Sequence, residues 1–417
     1  MTVSPLYIDP GTGSMLFSLF IGLATAAVFA GRALILKAKF ILSGGKIKRD
    51  EKGRAPFVIY SDHKRYWNVF KPVCDEFERR GISLLYLTQS ADDPVFAACG
   101  EDGGYKHIRA EFIGEGNKGF ARLNMLKADV VLSTTPGLDV LQWKRSRDVK
   151  WYVHIPHSLD ELGDYKMFAL TFYDAFLTTG KNQIDFQKQL EEQFEKAIKK
   201  EYRIVGATFM DAALERIKAL PAHTVDRESP KVLLAPSWGE KSLLNIYGEQ
   251  LLDALKATGF KITVRPHPQS FTAEKERIES LMAAYPDFEW NRDNDNLAVL
   301  NKNDILITDF SGIIFEWSLL FGKPLIFAST KFNPDTFDAA WAKDDLWRFG
   351  AAKRIGTELK AEQLQDLKSV ILDSFSDTEK RGNRKTVHEE CWAQVGKGAQ
   401  NIADYMVAKQ KELLEIH

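Results

Sequence analysis

This 417-residue sequence predicts two successive open α/β domains with parallel sheets. Three observations carry the prediction. Apolar runs alternate with helical patterns from about residue 55 onward. Several of these runs are apolar on consecutive residues, as strands buried on both faces require. A polar, proline-bearing stretch at 220–230 (LPAHTVDRESP) interrupts the alternation, which then restarts. Strand, helix and strand in succession mean βαβ units and a parallel sheet. The expected division is 1–50, 51–222, 223–390 and a helical end at 391–417. Length alone already argues for more than one domain.

Before the first strand lies an uncharged run of 17 residues, 15–31 (MLFSLFIGLATAAVFAG), followed by Arg32 and ALIL. At 1.5 Å per residue it spans about 26 Å, enough for a bilayer core. Arg32 is placed to snorkel. No Lys or Arg precedes the run, so it does not read as a signal peptide. Lys37, Lys39, Lys46, Lys48 and Arg49 all follow it. The positive-inside rule then puts the body in the cytoplasm. The expectation is one N-terminal transmembrane helix, a single-pass protein of the inner membrane with cytoplasmic catalytic domains. The same basic stretch would suit anionic lipid. Residues 9–14 (DPGTGS) read as the turn that starts this helix.

In the first domain the strand candidates are 56–61, 82–88, 128–134, 151–155, 175–179 and 203–206. Residues 67–80 and 120–127 are helix candidates between them. In the second domain they are 231–235, 261–265, 304–308 and 324–328. The tail from about 387 to 416 reads as helical. Lys and Arg number 56 against 57 Asp and Glu, a net charge of −1, so no nucleic-acid partner is expected. Cys74, Cys99 and Cys391 form no CxxC, which disfavours a disulfide framework or a cysteine zinc site.

Ligands of open parallel sheets bind beyond the carboxyl ends of the strands, so polar residues there are the candidates. His157, in HIPHS, has the pKa range of a general base; a solvated strand end is the alternative. A zinc pair from His154 and His157 is disfavoured, because no third ligand is evident. In RPHP, two prolines fix the backbone around His267, and Arg265 suits a phosphate. In TDFSG, Thr308, Asp309, Ser311 and Gly312 precede a helix through 313–320, whose first amides form an anion site. Capping by Asp309 or Ser311 is compatible with that. Glu316 lies one turn on, within reach of a ribose diol. Ser237, in APSWGE, is a candidate phosphate contact or an ordinary loop residue. Residues 114–119 (GEGNKG) match GxGxxG, but they do not follow the domain's first strand, and no acid-ended strand follows about 20 residues later. Dinucleotide binding is therefore disfavoured. No Walker A, DxD or HExxH pattern occurs.

Residues 305–327 (ILITDFSGIIFEWSLLFGKPLIF) resemble the C-terminal signature of the CDP-glycerol glycerophosphotransferases of teichoic-acid and capsule synthesis. That signature reads roughly T-D-Y-S-S, an acid, then K/R-P-I-I-F. Residues 231–238, 262–268 and 152–159 fall where the family has A-P-T-W, R-x-H-P and W-H-G-T. The resemblance implies a GT-B fold of two Rossmann-like, doubly wound domains facing a cleft, with the acceptor on the N-terminal domain and the nucleotide donor on the C-terminal one. It implies transfer of glycerol phosphate from CDP-glycerol to a hydroxyl of a lipid-linked or polymeric acceptor, releasing CMP. By position His157 and His267 match the functional histidines, and Asp309, Ser311 and Glu316 match donor-binding positions. Ser158 stands where the family has glycine, and Gly312 where it has a second serine. A divalent ion such as Mg²⁺ is left open, with no residue pattern in its support. The rival readings are a GT-B transferase using CDP-ribitol or a nucleotide sugar, and a non-catalytic membrane-anchored binding module.

Overall fold

Two all-parallel sheets form because their central strands are short, apolar and buried on both faces. A computed structural model describes residues 31, 53–140, 143–166, 168–193, 199–293, 295–330 and 333–415. The expected membrane segment and the basic stretch after it lie, apart from Gly31, outside the described residues. Among the described residues no helix is long and apolar enough to cross a membrane. Residues from Arg54 onward form one compact unit, and the rest of the description concerns that unit.

The first sheet contains β1 (Ala55–Ser61), β2 (Leu84–Thr88), β3 (Ile108–Phe112), β4 (Ala128–Ser133), β5 (Val149–His154), β6 (Ala175–Thr178) and β7 (Glu201–Ile204). Their order is β3-β2-β1-β4-β5-β6-β7. The second contains β8 (Lys231–Leu234), β9 (Lys261–Val264), β10 (Glu289–Trp290), β11 (Ile305–Thr308), β12 (Leu325–Ala328) and β13 (Thr357–Leu359), in the order β10-β9-β8-β11-β12-β13. Each sheet reverses direction once, between β1 and β4 and between β8 and β11. Such switch points open a crevice at the carboxyl ends of the strands.

Most expected strands are present within a residue or two. The strand expected at 203–206 runs instead over Glu201–Ile204. The edge strands β10 and β13 were not foreseen; at two and three residues they carry no periodicity to read. Residues 220–230 form neither helix nor strand. His223 in that stretch meets the fully buried Asp304 at 2.6 Å, while Lys231 N–H donates to the other Asp304 oxygen at 2.8 Å. One carboxylate thus ties the crossing segment to the start of β8.

Helices α1 (Trp67–Arg79), α2 (Lys181–Gln193) and α3 (Thr208–Ile217) belong to the first lobe, and α4 (Trp347–Ile355) to the second. The expected tail helix is two helices, α5 (Thr378–Cys391) and α6 (Gly398–Glu415). The break coincides with Trp392, which is fully buried, and Gly396, whose φ is +76°. Helix α6 returns to the first lobe. Arg80 reaches Asp404 at 2.7 Å, and Glu201 accepts from Tyr405 at 2.8 Å and Lys409 at 2.6 Å. Helix α5 touches both lobes. Glu390 accepts from Trp347 and Arg354, each at 2.7 Å, while its carbonyl presses on Gly180. A Cβ at Gly180 would sit 2.2 Å from that carbonyl oxygen.

The lobes are also joined by a buried ion cluster. Arg348 of α4, only 5% exposed, donates through Nε to Glu161 at 2.7 Å and through its backbone N–H to the same carboxylate at 3.0 Å. Its terminal nitrogens lie 3.3 Å from Asp164 and 3.4 Å from Asp160. All three acids follow His157 in the loop after β5.

Removing one partner of a buried ion pair costs about 3–5 kcal/mol, so Arg348→Met is expected to lower unfolding stability by that order in urea titrations. An unchanged midpoint would show that the cluster does not hold the lobes. Gly180→Ala is expected to lower the melting temperature, because overpacking against backbone costs about 1–3 kcal/mol.

Candidate active site

A cleft of about 340 Å³ lies between the carboxyl ends of the two sheets, a size suited to a small ligand. The first lobe supplies His157, Ser158, Leu159 and Phe209; the second supplies Ala235, Pro236, Arg265 to Pro268, Asn296, Ser311 to Ile313, Phe315 and Glu316. Of the candidates, His157, His267, Arg265, Ser311, Gly312 and Glu316 thus face one space. Thr308, Asp309 and Ser237 do not line it.

Those three do other work. Asp309 is almost completely buried, and its carboxylate accepts from the backbone N–H groups of Ser237 at 2.9 Å, Leu243 at 2.8 Å and Ser311 at 3.2 Å. It therefore joins the loop after β8 to the turn after β11. Burial raises its pKa and the backbone amides oppose the rise. Thr308 Oγ1 donates to the Ala235 carbonyl at 2.6 Å. The geometry makes Thr308 and Asp309 positioning residues rather than contacts, and it uses Ser237 through its backbone. The expected helix through 313–320 is a short α-turn, Ile313–Glu316, continued by a π-turn, Trp317–Phe321. Among the described residues, the N–H groups of Gly312 and Ile313 meet no acceptor.

Arg265 is held from behind. Its two terminal nitrogens donate to Asn291 and, at 2.6 Å, to Asn296. Asn296 in turn donates to Glu316 at 3.1 Å. Burial and then the pull of Asp293, Glu316 and Asp295 act on Arg265 in opposite senses, with burial prevailing. Burial raises the Glu316 pKa against Asn296 and Arg265. Asn296 was missed by sequence reasoning, because nothing local marks an asparagine that orients an arginine 31 positions away.

The two histidines are held differently at Nδ1. His267 Nδ1 receives the backbone N–H of Gln269 at 3.1 Å. A backbone amide can only donate, so neutral His267 carries its proton on Nε2. His157 Nδ1 lies 2.9 Å from the Thr134 hydroxyl and 3.4 Å from that of Tyr165. A hydroxyl can donate or accept, so either tautomer of His157 fits this contact; with Nδ1–H donated to Thr134, Nε2 presents a lone pair. Burial pushes the His157 pKa down to about 4. Burial, then Arg265 and Arg65, lowers that of His267. His154 instead packs among Tyr165, Tyr173 and Phe176, with ring centroids at 6.2, 5.0 and 5.3 Å, and lines no part of the cleft. Among the described residues no three His, Cys, Asp or Glu side chains converge as a metal site.

The GxGxxG match lies after the edge strand β3, away from the switch point. Gly116 N–H donates to Gln89 at 2.8 Å, and a Cβ at Gly119 would sit 2.8 Å from the same side chain. Gly119 serves close packing, whereas Gly116, with φ of +53° and open space around a Cβ, serves the backbone conformation of the turn. Lys323 of the GKPLIF stretch is also internal, donating at 3.0, 2.6 and 2.6 Å to the carbonyls of Leu300, Asn301 and Asn303.

Residues 206–337 match the model of the family described as CDP-glycerol:poly(glycerophosphate) glycerophosphotransferase. No curated protein matches this sequence. Among solved structures, the wall teichoic acid polymerase TagF aligns with a TM-score of 0.53 at 14% identity, over 93% of this chain and 99% of that one. A histidine-to-asparagine form of TagF soaked with CDPG gives the same values. The UDP-GlcNAc 2-epimerase of Neisseria meningitidis, bound to UDP-GlcNAc, aligns with a TM-score of 0.53 at 15% identity, over 85% of this chain and 100% of that one. At such identities the likeness establishes the fold, a pair of parallel α/β domains of the GT-B kind. The family match spans the end of the first lobe and most of the second, including His267, Asp309, Ser311 and Glu316. Over residues 206–337 the chain is similar to the CDP-glycerol glycerophosphotransferases.

Proposed function

We propose that the chain transfers glycerol phosphate from CDP-glycerol to a hydroxyl of a lipid-linked or polymeric cell-surface acceptor and releases CMP. The observation that carries this reading is the meeting of His157 and His267, from different lobes, in one cleft with Arg265 and the Ser311–Gly312 turn. In this reading residues 51–222 hold the acceptor and residues 223–390 the donor. Residues 1–50 anchor the enzyme to the cytoplasmic face of the inner membrane, beside a membrane-borne acceptor.

The acceptor oxygen forms a bond to the β-phosphorus of CDP-glycerol. The bond from that phosphorus to the bridging oxygen breaks, and its electron pair leaves with CMP. His157 Nε2 takes the acceptor proton, with Nδ1–H held by Thr134. His267 Nε2–H donates to a pyrophosphate oxygen, which its tautomer suits it to do. Arg265, its fork fixed by two asparagines, faces the same charge. The free amides of Gly312 and Ile313 add donors without a cation, and Glu316 accepts from the cytidine ribose. Positioning and fixed dipoles then supply most of the barrier reduction, as in other phosphoryl transfers.

His157→Ala and His267→Ala are each expected to lower CMP release from labelled CDP-glycerol by about 10² to 10⁴, with folding confirmed by circular dichroism. Wild-type release by either variant would remove that residue from the mechanism. A donor panel of CDP-glycerol, CDP-ribitol and UDP-sugars in thermal-shift assays tests the donor; stabilisation by a UDP-sugar alone would overturn it. A base with a pKa depressed to about 4 is unprotonated throughout the neutral range. The acid limb of kcat/KM should therefore lie below pH 6, not at the ordinary histidine value near 6.5. An inflection near 6.5 that disappears in His157→Ala would contradict the depressed value.

A further inference from the structure

The proposed reaction brings two phosphates into the cleft, yet among the described residues only Arg265 lines it as a cation, and both its terminal nitrogens are already engaged. The switch point of the first sheet lies between β1 and β4, where such folds hold their ligands. Four residues beyond the end of β1 stands Arg65, in a short turn at Lys64–Tyr66. The turn is fixed by the His63 ring, which receives the Arg65 backbone N–H at 3.1 Å. Lys64 is turned aside into an exposed pair with Asp92. Arg65 is exposed, and its charge also acts on the neighbouring Asp62 carboxyl. Its guanidinium lies 4.8 Å from the centre of the Tyr66 ring. Tyr66 in turn lies against the His157 ring, with centroids 4.6 Å apart. Guanidinium, phenol and imidazole therefore form one series that ends in the cleft. The charge of Arg65 also reaches across to the other lobe, since it is among the causes that lower both the His157 and the His267 pKa.

We propose that Arg65 is the phosphate-binding cation of the N-terminal lobe, taking a phosphate ester held between His157 and His267. The tyrosine face limits the orientations of the guanidinium, and the planar fork suits two phosphate oxygens at once. A solvated surface arginine would have neither the switch-point position nor a field felt by both imidazoles. The assignment rests on the phosphotransferase reading for the source of the phosphate, which is either the donor's outer phosphoryl group or a phosphodiester at the acceptor end. The chemistry recognised is the same in both.

The test uses the full chain and two readouts. Calorimetry with inorganic pyrophosphate requires neither turnover nor a known donor; Arg65→Ala is expected to bind it about tenfold more weakly than wild type, and Lys64→Ala equally well. In CMP release from CDP-glycerol, Arg65→Ala should lose about 10²-fold in kcat/KM, the order for removing one preorganised donor at a transferring group. Arg65→Lys should recover part of the loss, and added guanidinium should partly restore Arg65→Ala. A defect that persists with a neutral polyol acceptor places the donor's phosphoryl at Arg65. A defect confined to glycerophosphate-ended acceptors places the acceptor's phosphodiester there. If the wild type binds pyrophosphate through Arg65 but releases no CMP, the CDP-glycerol reading falls and the assignment of Arg65 stands. Pyrophosphate binding that is absent or indifferent to Arg65, with CMP release within threefold of wild type in Arg65→Ala, overturns the assignment.

Discussion

One guanidinium shared by three carboxylates sets the geometry of the cleft. Arg348 comes from the second lobe, while Asp160, Glu161 and Asp164 come from the loop that begins at His157. The cluster is poor in positive charge, so burial raises the Asp160 pKa despite the arginine. Such an arrangement is weak evidence for stability, because desolvation offsets most of the attraction. Its use is positional. A loop whose three acids share one cation from the opposite lobe presents His157 where that lobe is docked. Asp160 also accepts from Ser158 at 3.0 Å and lies near Gly312, where a Cβ would be 3.6 Å from its carboxylate. The two departures from the family signature, Ser158 and Gly312, thus surround a single acid. The hydroxyl that faces it comes from the first lobe.

The frame was legible in the sequence because parallel strands leave runs of consecutive apolar residues, as at 130–132 and 305–307. The switch-point rule then directed attention to the polar residues after those runs. Of these, His157, Arg265, His267, Ser311, Gly312 and Glu316 line the cleft. The rule could not separate residues that face the cleft from residues that hold its wall. Thr308 and Asp309 belong to the same turn as Ser311, and only the direction of each side chain tells them apart. Sequence alone does not give that direction in an irregular turn.

Arg65, Asn296 and Arg348 were not legible for a different reason. Each acts through partners distant in sequence, up to 187 positions for Arg348 and Glu161. The hint for Arg65 was present in its place just beyond the first strand, but the neighbouring His63 and Lys64 made the segment look like a solvated basic turn. Asn296 precedes a six-residue helix and resembles any capping residue. Its importance appears only once Arg265 and Glu316 are seen on either side of it.

The return of α6 to the first lobe has a mechanical consequence. The polypeptide leaves that lobe after α3 and re-enters it through α5 and α6, so the second lobe is spliced into the first by two covalent straps. A body attached at two points can rock about the line between them but resists torsion about any other axis. Any rocking of the halves would turn about that line, and a single scission near residue 395 would remove one of the two straps.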